Sequence, residues 1–208
     1  MFKDRSEAGK LLAKALEKYI NDKVVVLALP RGGVVVGYEV AKTLKAPLDV
    51  VVTRKIGHPH NPEYAIGVVD EHGLFLGNEK EVESVDGNWL KEEILHQRQE
   101  AGRRVALYRG EQKILEIKDS VVIIVDDGMA TGLSIRLAVR SIKKQSPAKI
   151  VVAVPVAPSD AIHFIYNEGV DEIIVLELPE EFLGAVGSHY AYFGQVEDNE
   201  VINLLKKC

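Results

Sequence analysis

Two adjacent aspartates, Asp126 and Asp127, end an apolar run and open a turn of mostly small residues, Gly128, Met129, Ala130, Thr131 and Gly132. Val121 to Val125, all five β-branched, read as a strand buried on both faces of a parallel sheet. Leu133, Leu137 and Ile142 then keep roughly one face of a following helix. In open α/β sheets ligands sit outside the carboxyl ends of the strands, which is where the aspartates fall. The glycines allow a phosphate to approach the backbone, and the first N–H groups of the helix carry partial positive charge and no intrahelical partner. Thr131 and Ser134 can add hydroxyl donors. Two carboxylates beside an anion cradle repel the ligand unless they accept hydrogen bonds from neighbouring hydroxyls, as a ribose 5-phosphate presents. The plainer reading is a strand ending in an Asp-Gly turn, with Thr131 capping the helix.

A second strand, Val24 to Leu29, leads into Pro30-Arg31-Gly32-Gly33 and a helix from about Val34 to Leu44. This repeats the strand–glycine turn–helix layout, and two such turns on one sheet edge can hold two anionic groups of one ligand. Pro47 opens a third strand, Leu48 to Thr53, with Arg54 and Lys55 expected at its carboxyl end as anion-stabilising cations. The segment 56–63, with two prolines and a glycine, reads as a loop. His58 and His60 lie in it, but no local residues complete a metal-ligand set, so they read as surface histidines.

The stretch Val-Asp-Asp-Gly-Met-Ala-Thr-Gly resembles the phosphoribosyl-diphosphate (PRPP) signature of the type I phosphoribosyltransferases. Leu-Pro-Arg-Gly-Gly and Ala-Val-Gly-Ser-His-Tyr extend the resemblance to a poorly characterised branch across nearly the whole chain, although that branch has tryptophan where His189 stands. The resemblance implies Mg²⁺-dependent transfer of a phosphoribosyl group from PRPP to a nitrogen of a nucleobase-like acceptor. It implies that Asp126 and Asp127 hold the ribose hydroxyls and 128–132 the 5-phosphate. Arg31, Gly32 and Gly33 would bind pyrophosphate together with Arg54 and Lys55, and Pro30–Arg31 would be a cis peptide. The loop at 54–64 would be the mobile catalytic loop of the family. Mg²⁺ would be held mainly by PRPP and water, with Asp126 and Asp127 as candidate ligands. The alternative is a non-catalytic PRPP-sensing regulator; a PRPP synthetase is disfavoured because that family has longer chains of two related domains. A structural scaffold is the third rival.

These residues need a frame. Alternating strands and helices point to an α/β fold: a twisted, mostly parallel sheet flanked by helices, in one domain over 1–208. Residues 4–20 read as a helix with Leu11, Leu12, Ala15, Leu16, Tyr19 and Ile20 on its apolar stripe and nothing that suggests chemistry. Residues from about 70 to 110 read as an insertion. A hairpin of Tyr64–Val69 and Leu74–Leu76 leads into it, followed by a short strand at Glu81–Val85 and a long helix at 88–108. Arg98, Arg103, Arg104 and Arg109 on that helix offer either a phosphate surface or a solvated face. Further core elements are strands at Ile150–Val156 and Glu172–Leu178 and a helix at Ala161–Asn167. The tail, 179–208, is a hood-like segment carrying Phe182, Tyr190, Tyr192 and Phe193, which can stack a base or pack the tail onto the sheet.

Composition bounds the rest. The 208 residues are 47% hydrophobic and 27% charged, as in ordinary globular proteins. A net charge of −5 argues against a general nucleic-acid binder. Cys208 is the only cysteine, so no disulfide staples the monomer and a reducing cytoplasm is expected. The charged start does not look like a signal peptide, and no apolar run reaches the roughly 18 residues of a membrane span. The sequence leaves room for a homo-oligomer.

Overall fold

The computed structural model describes residues 1–180, 182 and 184–208. Five parallel strands form the main sheet: β1 (Val24–Ala28), β2 (Leu48–Val50), β6 (Val121–Val125), β7 (Lys149–Val156) and β8 (Glu172–Glu177), in the order β2-β1-β6-β7-β8. A smaller antiparallel sheet joins β3 (Thr53–His58), β4 (Asn61–Asp70) and β5 (Phe75–Gly77). The helices are α1 (Arg5–Ala15), α2 (Gly32–Leu44), α3 (Glu79–Glu83), α4 (Gly87–Arg109), α5 (Leu133–Lys143), α6 (Ser159–Asn167) and α7 (Asp198–Leu205).

The apolar runs follow from burial on both faces. Along β1, Val24, Val26 and Ala28 join one core with Leu12, Leu16 and Val40, whereas Val25 and Leu27 join another with Ile135, Ile142 and Ile165. Successive side chains point to opposite faces, so a covered sheet requires apolar residues at every position. Each fully buried Leu or Ile contributes roughly 1.5–3 kcal/mol.

α1 starts where the Asp4 side chain accepts the Glu7 N–H at 2.9 Å, and a 3₁₀ turn follows at Glu17–Tyr19. Its stripe is rotated from the expected one. Ala8, Leu12, Ala13 and Leu16 are buried, while Leu11 and Ile20 are exposed.

Three other expectations change. The third parallel strand stops at Val50, and Arg54 and Lys55 belong to the start of β3 rather than to that strand's end. The proposed loop at 56–63 is largely extended hairpin: Gly57 pairs with Ala65 and His58 with Asn61, with a bulge that absorbs Pro62. Glu81–Val85 is not a strand, because the Asn78 side chain accepts the Lys80 N–H and starts the short α3. The tail also holds a helix, α7, which buries Val201 and Leu205 against the core shared with α2 and α4. Among the described residues no helix is long and apolar enough to cross a membrane.

Candidate active site

Three segments meet at the carboxyl ends of β1 and β6: the turn after β1, the turn after β6, and the N-terminus of α1. Asp126 and Asp127 follow β6 and are half-buried. Asp126 Oδ1 accepts the Asp127 N–H at 2.8 Å. Burial first, and then the neighbouring Asp127 carboxylate, push Asp126 well above the usual carboxylate range.

The turn after β1 touches both aspartates. The Pro30–Arg31 peptide is cis, as the resemblance implies. A β-carbon at Gly33 would stand 2.9 Å from the Asp126 Cα, so only glycine admits this approach. Arg31, just before α2, extends toward the first turn of α7. Its Nη1 is 3.8 Å from both Glu197 and Asp198 carboxylate oxygens.

Gly128, Met129, Ala130, Thr131 and Gly132 wrap a cavity of about 240 Å³ that α5 and Val186 also line. Gly132 takes a left-handed conformation, φ 73°, immediately before α5, so the first amides of that helix open toward the turn. Gly132, not Thr131, takes the cap position of α5; Thr131, one residue earlier, accepts the Leu133 N–H only loosely, at 3.5 Å. The Met129 side chain is buried and its N–H donates to the Val156 carbonyl at 2.9 Å, which anchors the turn.

Arg54 and Lys55 line a separate cleft of about 360 Å³ with His58, Trp89, Glu93 and Gln97. That cleft and the 128–132 cavity share no lining residue. Arg54 Nε donates to Gln97 Oε1 at 3.1 Å, and burial followed by the nearby Arg104 holds its pKa below the ordinary value. Lys55 Nζ reaches the Glu63 carbonyl at 3.2 Å across the hairpin. The His58 and His60 rings are 5.6 Å apart. No group of three or more metal-ligating side chains forms among the described residues.

The α4 arginines have internal partners. Arg103 and Arg104 pair with Glu100 at 2.7 and 2.8 Å, and Arg109 pairs with the buried Asp49 at 2.9 Å. Arg98 Nε leans on the Glu71 carbonyl at 3.4 Å. The tail aromatics pack inward in part: Tyr190 lies against Phe2 and Phe193, and Phe182 stacks on the buried His189. Tyr192 stays exposed.

Sequence reasoning missed Arg5. Its Nε donates to Asp127 Oδ2 at 2.6 Å from 122 residues away. One signal was available: an arginine in the first turn of a helix opposes the helix dipole, so it needs an anion from elsewhere. Tyr190 was singled out for its ring, but its hydroxyl donates to the Asp127 carbonyl. Burial and then the Asp127 carboxylate raise the Tyr190 pKa, so the hydroxyl keeps its proton.

Comparison with known proteins follows the same outline. Residues 2–177 match the phosphoribosyl transferase domain. A Mycobacterium tuberculosis protein provisionally named a phosphoribosyl transferase is 37% identical over 210 residues, covering 100% of this chain and 47% of the relative. The chain thus spans about half the length of the curated relatives it matches. The crystal structure of TT1426 from Thermus thermophilus is 40% identical with a TM-score of 0.82, covering 100% of this chain and 98% of that one. The AQ2163 protein of Aquifex aeolicus, 14% identical with a TM-score of 0.52 over 84% of this chain and 74% of its own, shares the fold alone.

Proposed function

The chain belongs to the phosphoribosyl transferase family, and on that premise we propose that it moves the 5-phosphoribosyl group of PRPP to a nitrogen of a base-like acceptor, releasing pyrophosphate. The observation that carries this reading is the turn at 126–132. It sets two carboxylates beside a backbone cradle of about 240 Å³ at the carboxyl end of the central strand.

In this reading Asp126 and Asp127 accept hydrogen bonds from the ribose hydroxyls, and the amides of 130–132 with those opening α5 hold the 5-phosphate. The C1–oxygen bond breaks with its electron pair leaving on pyrophosphate. The acceptor nitrogen donates its lone pair to C1 and releases its proton to water. The aspartates' charge favours the oxocarbenium-like ribose between these events, so the protein supplies no nucleophile. Arg31, with the loop at Gly32 and Gly33, stabilises the pyrophosphate, and Arg54 and Lys55 reach it as the β3–β4 hairpin closes.

The donor set suits Mg²⁺ carried in on the polyphosphate. Asp127 Oδ2 is engaged by Arg5 and Asp126 Oδ1 by the Asp127 amide, which leaves at most one oxygen of each for a cation. A hard ion that keeps its water and substrate oxygens fits so sparse a site. When bound, it would neutralise charge on the departing pyrophosphate.

The test is a thermal-shift series with PRPP and Mg²⁺, run beside pyrophosphate release from PRPP over a panel of purine and pyrimidine bases. The proposal expects a rise in Tm with PRPP and pyrophosphate release that depends on one base class. Binding without turnover for any base would favour a PRPP-sensing regulator. The absence of both binding and turnover would overturn the reading.

A further inference from the structure

Arg5 touches the paired-carboxylate turn and the C-terminal segment at once. Besides the 2.6 Å bond from Nε to Asp127 Oδ2, its Nη1 donates to the Gly194 carbonyl at 2.7 Å. Its guanidinium lies 3.7 Å from the centroid of the Phe193 ring. The Arg5 side chain is 12% exposed and that of Asp127 16%, so the pair is shielded from competing water. The tail is laced to the N-terminus by backbone as well: Ala191 N–H donates to the Phe2 carbonyl at 2.7 Å and Tyr192 N–H to that of Lys3 at 2.9 Å. Tyr190 closes the circuit with its bond to the Asp127 carbonyl.

We propose that Arg5 is a positioning residue that couples the tail at 190–194 to the Asp127 carboxylate. By occupying Oδ2 it fixes the rotation of the carboxylate and leaves Oδ1 as the oxygen presented to a ligand. The choice of side chain fits the task. A planar guanidinium sends Nε and Nη1 to two different acceptors while its face lies on an aromatic ring, which an ammonium cannot do. Coupling of this kind is reciprocal: whatever orders Asp127 orders the tail, and whatever loosens the tail loosens Asp127. The identity of the ligand rests on the PRPP reading above, but the coupling itself does not.

The experiment is residue-resolved hydrogen exchange at the Ala191 and Tyr192 amides of the full chain. Without ligand, Arg5→Gln and Asp127→Asn should each speed exchange there about tenfold, with the double variant no faster than either single one. With PRPP and Mg²⁺, exchange at both amides should slow in the wild type and not in Arg5→Gln, whose PRPP Kd by calorimetry rises about tenfold. If Arg5 merely anchors the tail through Gly194 and Phe193, Asp127→Asn leaves exchange at both amides unchanged, and the proposal fails. Should Arg5→Gln not fold, Asp127→Asn alone decides it. If the wild type binds no PRPP, the substrate reading falls, while the unliganded Asp127→Asn comparison still upholds or overturns the coupling.

Discussion

Gly32 and Asp127 stand so close that a β-carbon on the glycine would lie 1.9 Å from the carboxylate oxygen Oδ2. The same β-carbon would lie 2.8 Å from Arg5 Nε. One glycine therefore permits the turn after β1, the turn after β6 and the N-terminal helix to share a single point. The two glycine turns meet because no side chain separates them.

That contact makes Gly32→Ala a sharp probe. Alanine is the better helix former, though at the first position of α2 by less than the roughly 1 kcal/mol of a helix interior. The clash should outweigh this, displacing Asp127 and breaking its bond to Arg5. The expected outcome is a lower Tm and a PRPP Kd raised at least about tenfold, roughly 1.4 kcal/mol. Calorimetric titration with PRPP and Mg²⁺ measures it; unchanged affinity would mean that the ligand does not meet the point where these segments converge.

Asp126 should cost stability in return for function. Its folded pKa lies above its unfolded value, because burial and Asp127 disfavour the charged form. As pH rises from about 4, the unfolded chain loses this proton before the folded one does, so folding stability falls. Asp126→Asn removes that penalty. Its Tm should exceed that of the wild type at pH 7–8, and the gain should shrink as the pH is lowered toward about 4. Turnover should be lost together with the carboxylate. A gain that grows on acidification would show that the sign is wrong.

Arg109 and Asp49 address the alternative use of the α4 arginines. The Arg109 Nε–H is shared between both Asp49 carboxylate oxygens, at 2.9 and 3.0 Å, with side-chain exposures of 16% and 8%. Arg109→Met leaves a buried carboxylate without its cation, which costs about 3–5 kcal/mol. In a chain of this size that lowers Tm by on the order of 10 °C. PRPP affinity of the folded fraction should stay at the wild-type value. A weaker Kd with little loss of Tm would instead make Arg109 part of a phosphate surface.

Much of the frame was legible because it rests on local pattern. The doubly buried strands Val24–Ala28, Val121–Val125 and Lys149–Val156 require apolar runs, unbroken but for Lys149 at the start of one strand, and such runs are visible in the chain. The aspartate turn was legible because a strand end followed by small residues is itself a local pattern, although Arg5, Gly32 and Tyr190 meet it from far away in sequence. What failed depended on distant partners or on cues with two meanings. Pro59, Pro62 and Gly57 argue for a loop, yet the bulge lets β3 and β4 continue around them. Glu81–Val85 is short enough that the Asn78 cap alone decides for a helix. Arg5 carries only the weak mark of a cation in a helix's first turn, and its partners stay hidden because Asp127 and Gly194 reach it only after the sheet has formed and the tail has returned.

The two ends of the site should separate in kinetics. Asp127 faces the turn that would hold ribose, so Asp127→Asn should weaken PRPP binding and lower turnover together. Arg54 and Lys55 line another cleft and hold partners that a ligand could displace, Gln97 and Glu63. If the β3–β4 hairpin brings them to the departing pyrophosphate, their contribution is greatest in the transition state. Arg54→Ala and Lys55→Ala should then keep most of the PRPP affinity and lower kcat by about 10²-fold, roughly 2.7 kcal/mol, with a smaller change in KM. Gln97→Ala provides the control for packing: it removes the neutral partner of Arg54 without removing charge, and should lower kcat less. The measurement is steady-state pyrophosphate release with the best base from the panel, beside PRPP Kd values for each variant. Wild-type kcat in both cation variants would remove Arg54 and Lys55 from the chemistry. Normal PRPP binding in Asp127→Asn would remove the ribose assignment, and with it the reason for two carboxylates at the end of β6.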